Sequence, residues 1–242
     1  SSGRLYCQGT SVFEANMGQT KALSGFFLNA ENVMGQLSWG SQMRAWFPVA
    51  NASVDADPSC LAALPPSLHD MCIFAEVVYA RQKTPTFVFN SQLDLWQAAC
   101  ILLGGETGGE NFAMPHCVAY PKYKKCPLSI LHPCGDFNCT DSEFEPLYTY
   151  QFVFRDRIAS VATFTNNGNG MFVPSCITHC ENYSSDWTTV VVNGTTASQA
   201  FTSWWQADDD AKTPASTHSF IDCTDSQHWP FTCNPTCRKE RN

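Results

Sequence analysis

The apolar positions of the chain fall into stretches of two different periods, and together they predict strands alternating with helices. Glu145–Gly170 carries apolar residues at 147, 150, 154, 158, 161 and 164, the spacing of one buried helix face, and the Asn-Gly cluster that ends it is a stop signal. "TTASQAFTSWW" places Ala197, Ala200, Phe201, Trp204 and Trp205 on one helical face, and Thr196 with Gln199 has capping-box spacing at its start. Two further stretches, "SLHDMCIFAEVVYARQ" (67–82) and "DLWQAACILL" (94–103), read as helices.

Between these lie short β-rich runs. "TPTFVFN" (84–90) is a continuous apolar run of the kind found in buried parallel strands. "KALSGFFLN" (21–29) reads as a short buried strand entering a loop, and "TTVVVNG" (188–194) as a strand ending in a turn. The stretch 104–145 holds four cysteines with many glycines and prolines and little periodicity, so it reads as a disulfide-pinned loop region. Strands alternating with helices argue for an α/β domain built on a mainly parallel sheet. No internal repeat interrupts this organisation.

At 242 residues and 44% hydrophobic, the chain is long enough for one core, so it is one domain or part of one. The net charge of −8, with no basic run longer than two residues, argues against nucleic acid as a partner. No apolar stretch reaches the length of a membrane span. Thirteen cysteines accompany four acceptor sequons, at Asn51, Asn138, Asn182 and Asn193, a combination that points to the secretory pathway and to oxidised cysteines. The odd count leaves at least one cysteine free or bonded outside the chain, and Cys7 is a natural candidate.

Candidate chemistry centres on His179 in "MFVPSCITHC" (171–180). Read as a metal ligand, it would join Cys176, Cys180, Cys233 and Cys237, but oxidised cysteines offer no thiolate and the spacing lacks paired C-x2-C units. Read blandly, it is a packed structural histidine. Read as a catalytic base, it needs an acid, and Asp94 stands just after the buried strand 84–90, in the order acid then base. Asp94 also has the position of a helix N-cap, and spacing alone leaves both readings open.

Several stretches resemble the pectin acetylesterase/Notum family of secreted carboxylesterases. "SGFFLNAENVMG" is similar to the segment after that family's nucleophile helix, "PTFVFNSQLDLWQ" to its strand leading to the triad Asp, "GMFVPSCITHC" to the motif of its triad His, and "FIDC…CNPTC" to its C-terminal cysteine cluster. The resemblance implies an α/β-hydrolase-like fold, Asp94 as triad acid, His179 as triad base, a Cys60–Cys72 disulfide, and cofactor-independent removal of acyl groups from a glycan such as pectin or from a protein. It implies secretion to the extracellular space or cell wall. The chain departs from the family pattern at Leu23, where the family has an acidic residue. It also contains no Gly-x-Ser-x-Gly elbow, and only Ser1 in "SSG" is placed to end one. The expectation is therefore that residues 1–242 are the C-terminal portion of a single hydrolase domain. An upstream segment would carry the serine and pair with a bare sheet edge near Phe26–Leu28. The rival expectation is a non-catalytic structural or binding glycoprotein on the same scaffold.

Overall fold

The computed structural model describes residues 11–13, 20–23, 25–83, 85–103, 141–162, 168–179, 185–207, 218–223 and 233–237. In chain order the strands are β1 (Ser11–Phe13), β2 (Thr20–Leu23), β3 (Thr86–Phe89), β4 (Leu93–Asp94), β5 (Gly170–Val173), β6 (Ile177–Thr178), β7 (Val191–Val192), β8 (Thr195–Thr196) and β9 (Ser219–Ile221). The helices are α1 (Ser38–Val49), α2 (Pro58–Ala63), α3 (Ala75–Val78), α4 (Leu95–Gln97), α5 (Asp141–Ala162), α6 (Asp186–Thr189) and α7 (Ala197–Ala207).

The main sheet runs β1-β2-β3-β5-β9, with β2, β3, β5 and β9 parallel and β1 antiparallel at the edge. All four residues of β3 and of β5 are buried. The pleat sends alternate residues to opposite faces, and here it feeds two separate cores. Val88, Met171 and Val173 pack with α5 and the segments after β2, against Phe26, Leu147, Phe154 and Ile158. Phe87, Phe89 and Phe172 pack on the other face with Trp187 of α6 and Ala200 and Trp204 of α7. The result is a sheet between two helical layers. Gly170 is required by the close approach of α7, since a Cβ there would lie 2.7 Å from both the Phe87 ring and the Trp204 indole.

The periodicity of α5 translates directly into burial: Leu147, Tyr150, Phe154, Ile158 and Val161 all face the core. Helix α7 opens with a reciprocal capping box, in which Thr196 N–H donates to Gln199 Oε1 at 2.9 Å and Gln199 N–H donates to Thr196 Oγ1 at 3.3 Å. Among the described residues, no helix is long and apolar enough to cross a membrane.

Four sequence expectations are corrected. The stretch 67–82 is not one helix: a 3-10 helix (Pro66–Ile73) is followed by the short α3, because Phe74 turns extended between them and buries its ring 5.6 Å from Trp39. A disulfide joins Cys60 to Cys72 of that 3-10 helix. The strand expected over 188–194 shrinks to Val191–Val192, because the hydroxyls of Thr188 and Thr189 both donate to the Ser185 carbonyl and favour the α6 turn. The turn itself is a tight hairpin between β7 and β8, with positive φ at Asn193 and Gly194, the signature of a type I′ turn. Residues 141–145 belong to α5 rather than to a loop; residues 104–140 lie outside the described residues.

The fourth correction concerns the sheet edge. Phe26 and Leu28 are not strand residues: the N–H of Phe26 donates to Asn90 Oδ1 and that of Leu28 to Gln97 Oε1, so side chains take up the groups a neighbouring strand would have paired. The strand is β2, and its outer edge is covered by β1. Ser1, Cys7, Asn138, Cys180 and Asn182, and the side chain of Leu23, lie outside the described residues.

Candidate active site

The site lies beyond the carboxyl ends of β3 and β5, where open parallel sheets place their ligands. Both chains leave the sheet side by side. Asn90 N–H donates to the Phe172 carbonyl, Gln92 N–H donates to that of Pro174, and the Ser91 hydroxyl donates to that of Cys176. The two chains then pair again as β4 and β6, with Asp94 opposite Thr178 and one extra residue taken up on the β6 side. That second, two-residue ladder delivers Asp94 abreast of His179.

Asp94 is fully buried and its two carboxylate oxygens do different work. Oδ1 accepts the N–H of Gln97 at 2.9 Å, capping α4, and Oδ2 meets Nδ1 of His179 at 2.7 Å. One side chain thus caps the helix and also meets the imidazole, so the cap reading of Asp94 does not exclude the acid reading. With Nδ1 engaged as donor, the imidazole presents Nε2 as its basic nitrogen. The His179 side chain is only 9% exposed. An aspartate holding a part-buried imidazole in this way can orient it and stabilise its protonated form, which is what acid–base chemistry asks of such a pair.

The loop carrying His179 is tethered by the Cys176–Cys237 disulfide, and a second disulfide, Cys223–Cys233, lies beside it. The carboxylate of Asp222 and the sulfurs of Cys223 and Cys233 lie within 4.8 Å of one another, but both sulfurs are spent in the disulfide and offer no thiolate to a metal. Cys176 and Cys237, named above as metal ligands, are spent in the same way.

Sequence reasoning missed Gln97 and Asn90. Gln97 Nε2 donates to the Phe26 carbonyl at 3.0 Å, and its Oε1 accepts both the Leu28 N–H and the Tyr150 hydroxyl, the latter at 2.8 Å. Burial, then the negative charges of Asp94 and Glu76, push the Tyr150 phenol well above its ordinary range, so it remains a neutral donor to Gln97. The sequence shows only an amide in each of the apolar runs flanking Asp94, a signal that names no partner.

A family model described as pectinacetylesterase matches residues 14–238. The chain belongs to the pectinacetylesterase family. Pectin acetylesterase 11 of Arabidopsis thaliana is 26% identical over 224 residues, covering 88% of this chain and 47% of the relative. Pectin acetylesterase 5 of the same plant is 23% identical over 218 residues, covering 88% and 43%. Among solved structures, the Wnt deacylase Notum from Drosophila matches with a TM-score of 0.53 at 16% identity, covering 91% of this chain and 49% of that one. The likeness to Notum shows the fold, an α/β hydrolase with helices on a mainly parallel sheet. The chain spans about half the length of the relatives it matches.

Proposed function

We propose that this chain supplies the acid and base of a serine carboxylesterase that removes acyl groups from a glycan such as pectin, or from a protein. The observation that carries the reading is the 2.7 Å contact between buried Asp94 and His179 beyond the carboxyl ends of β3 and β5. In this reading residues 1–242 are the C-terminal portion of one hydrolase domain, and the serine and the oxyanion-hole N–H groups come from sequence upstream of residue 1. The serine hydroxyl attacks the acyl carbonyl while His179 Nε2 takes its proton. His179 then protonates the leaving alcohol, and water releases the acyl group by the same steps. Asp94 holds the imidazole tautomer and stabilises the imidazolium. The family membership supports an ester substrate; the relatives named pectin acetylesterase favour an acetylated glycan, and the neighbour named Wnt deacylase favours an acylated protein. The sequons at Asn51 and Asn193, both exposed, fit an extracellular, glycosylated enzyme.

A second reading, a non-catalytic glycoprotein on the same scaffold, is favoured by β1, which occupies the β2 edge where a further parallel strand was expected. Purified full-length protein treated with a serine-directed fluorophosphonate and an acetyl ester separates the two. The catalytic reading expects covalent labelling and turnover, with His179→Ala reducing turnover by roughly 10⁴-fold or more. No labelling and no turnover would hand the case to the second reading.

A further inference from the structure

Asp222 is a carboxylate, 8% exposed, that the chemistry of Asp94 and His179 does not use. It sits one residue past β9. Its Oδ2 accepts from the Ser175 N–H at 3.0 Å, the Ser175 hydroxyl at 3.0 Å and Asn234 Nδ2 at 2.7 Å, and its Oδ1 accepts from the Cys223 N–H at 3.0 Å. The Asn234 amide is oriented by its own Oδ1, which accepts the Thr236 N–H at 2.9 Å. All four groups therefore donate, and among the described residues no ion pair involves Asp222. An asparagine in its place would offer one acceptor oxygen and two unwanted donors, so only a carboxylate satisfies the set.

The main chain of the same residue reaches the other half of the site. Asp222 N–H donates to the Val173 carbonyl at 3.0 Å, and the Asp222 carbonyl accepts Gln92 Nε2 at 2.9 Å. Ser175 precedes His179 on its loop, and Gln92 stands two residues before Asp94. One residue thus braces both loops where they leave the sheet. A brace of this kind matters because small errors in placing a catalytic group cost large factors in rate.

We infer that Asp222 is a positioning residue that holds the His179 loop in register with the Asp94 loop and so sets the contact between the two side chains. Its kinetic consequence rests on the esterase reading; its structural consequence does not. The test compares full-length parent, Asp222→Asn and Thr196→Ala, the last weakening the α7 capping box without touching either loop. Two readouts are taken: the low-field proton resonance of His179 Nδ1–H, assigned by its loss in His179→Ala, and kcat and KM on an acetyl ester. In Asp222→Asn the resonance moves upfield or is lost to exchange, and kcat falls about 10- to 100-fold while KM stays within about two-fold. In Thr196→Ala both readouts stay at parent values although the melting temperature falls. A folded Asp222→Asn with the parent resonance overturns the inference, as does a parent lacking the resonance. An inactive parent sinks the esterase reading alone, because the resonance still decides the role of Asp222. Should Asp222→Asn fail to fold, Ser175→Ala deletes one of the same links and carries the same expectation at smaller amplitude; an unchanged resonance there overturns the inference equally.

Discussion

Asp94 carries two duties that a single substitution can separate. Asparagine is as good an N-cap as aspartate, so Asp94→Asn keeps an acceptor for the Gln97 N–H and keeps the shape of the site. Its amide N–H₂, however, then faces His179 Nδ1 and selects the tautomer with the proton on Nε2, which cannot take a proton from serine. The expected outcome is a loss of turnover of roughly 10⁴-fold with a melting temperature close to the parent. Asp94→Ala removes both duties. It loses the cap, worth about 1 kcal/mol, and takes the Asp94 acceptor away from the part-buried imidazole N–H, a further cost of up to about 1–3 kcal/mol. Urea denaturation and ester hydrolysis on the two variants check this, and an active Asp94→Asn would reduce Asp94 to a helix cap. At this scale the residues alone did not show the contact between Asp94 and His179, which only the family resemblance implied. That contact depends on the β4–β6 ladder, whose two-residue strands are too short to leave a periodic signature. The roles of Asn90, Gln97 and Asp222 were illegible for a related reason: each side chain bonds at least one group far away in the chain, 64 residues for Asn90 to Phe26 and 47 for Asp222 to Ser175.

Among the elements, legibility followed the length of the repeat. The α5 stripe spans several turns and its burial was readable at 147, 150, 154, 158 and 161, with 164 outside the described residues, whereas the stretch 67–82 mixes a 3-10 helix with an extended Phe74 that no single period describes. Position 154 is where the stripe does most for the site. The Phe154 ring is fully buried and meets Phe26 edge-on at 6.0 Å, and Phe26 in turn is tied by its N–H to Asn90 and by its carbonyl to Gln97. Phe154→Ala is therefore expected to cost about 3–5 kcal/mol, the range for a large aromatic removed from a packed core. Arg157→Ala on the same helix breaks a pair with Glu76 at 3.3 Å in which the arginine is largely exposed, and is expected to cost no more than about 1 kcal/mol. Chemical denaturation of both variants tests the contrast; similar losses would mean that α5 is held by its surface rather than by its stripe.

For the whole molecule, the α/β class and the core strand β3 were readable from the mainly apolar run 84–90, while β5, which was not read as a strand, and the edge of the sheet were not. Whether β2 is bare or covered depends on pairing with β1, which no local pattern encodes. The other edge carries a feature of its own. His218, immediately before β9, is 6% exposed, and neither ring nitrogen has a hydrogen-bond partner among the described residues. Burial lowers its pKa below the ordinary 6.5, because the charged ring would have to leave water without compensation. The unfolded chain therefore takes up a proton at this position as pH falls through 6.5, and the folded protein does so only at lower pH. Between those two values the unfolded state binds more protons, so the contribution to stability is fully present above 6.5 and is lost as the pH falls towards the folded value. His218→Phe keeps a ring of similar size and removes the titration. Urea unfolding of the two proteins from pH 8 to pH 5 is expected to show a smaller acid loss in His218→Phe, and the difference between the curves isolates this one group from the other five histidines. Parallel curves for parent and variant would show that His218 gains a compensating partner when protonated.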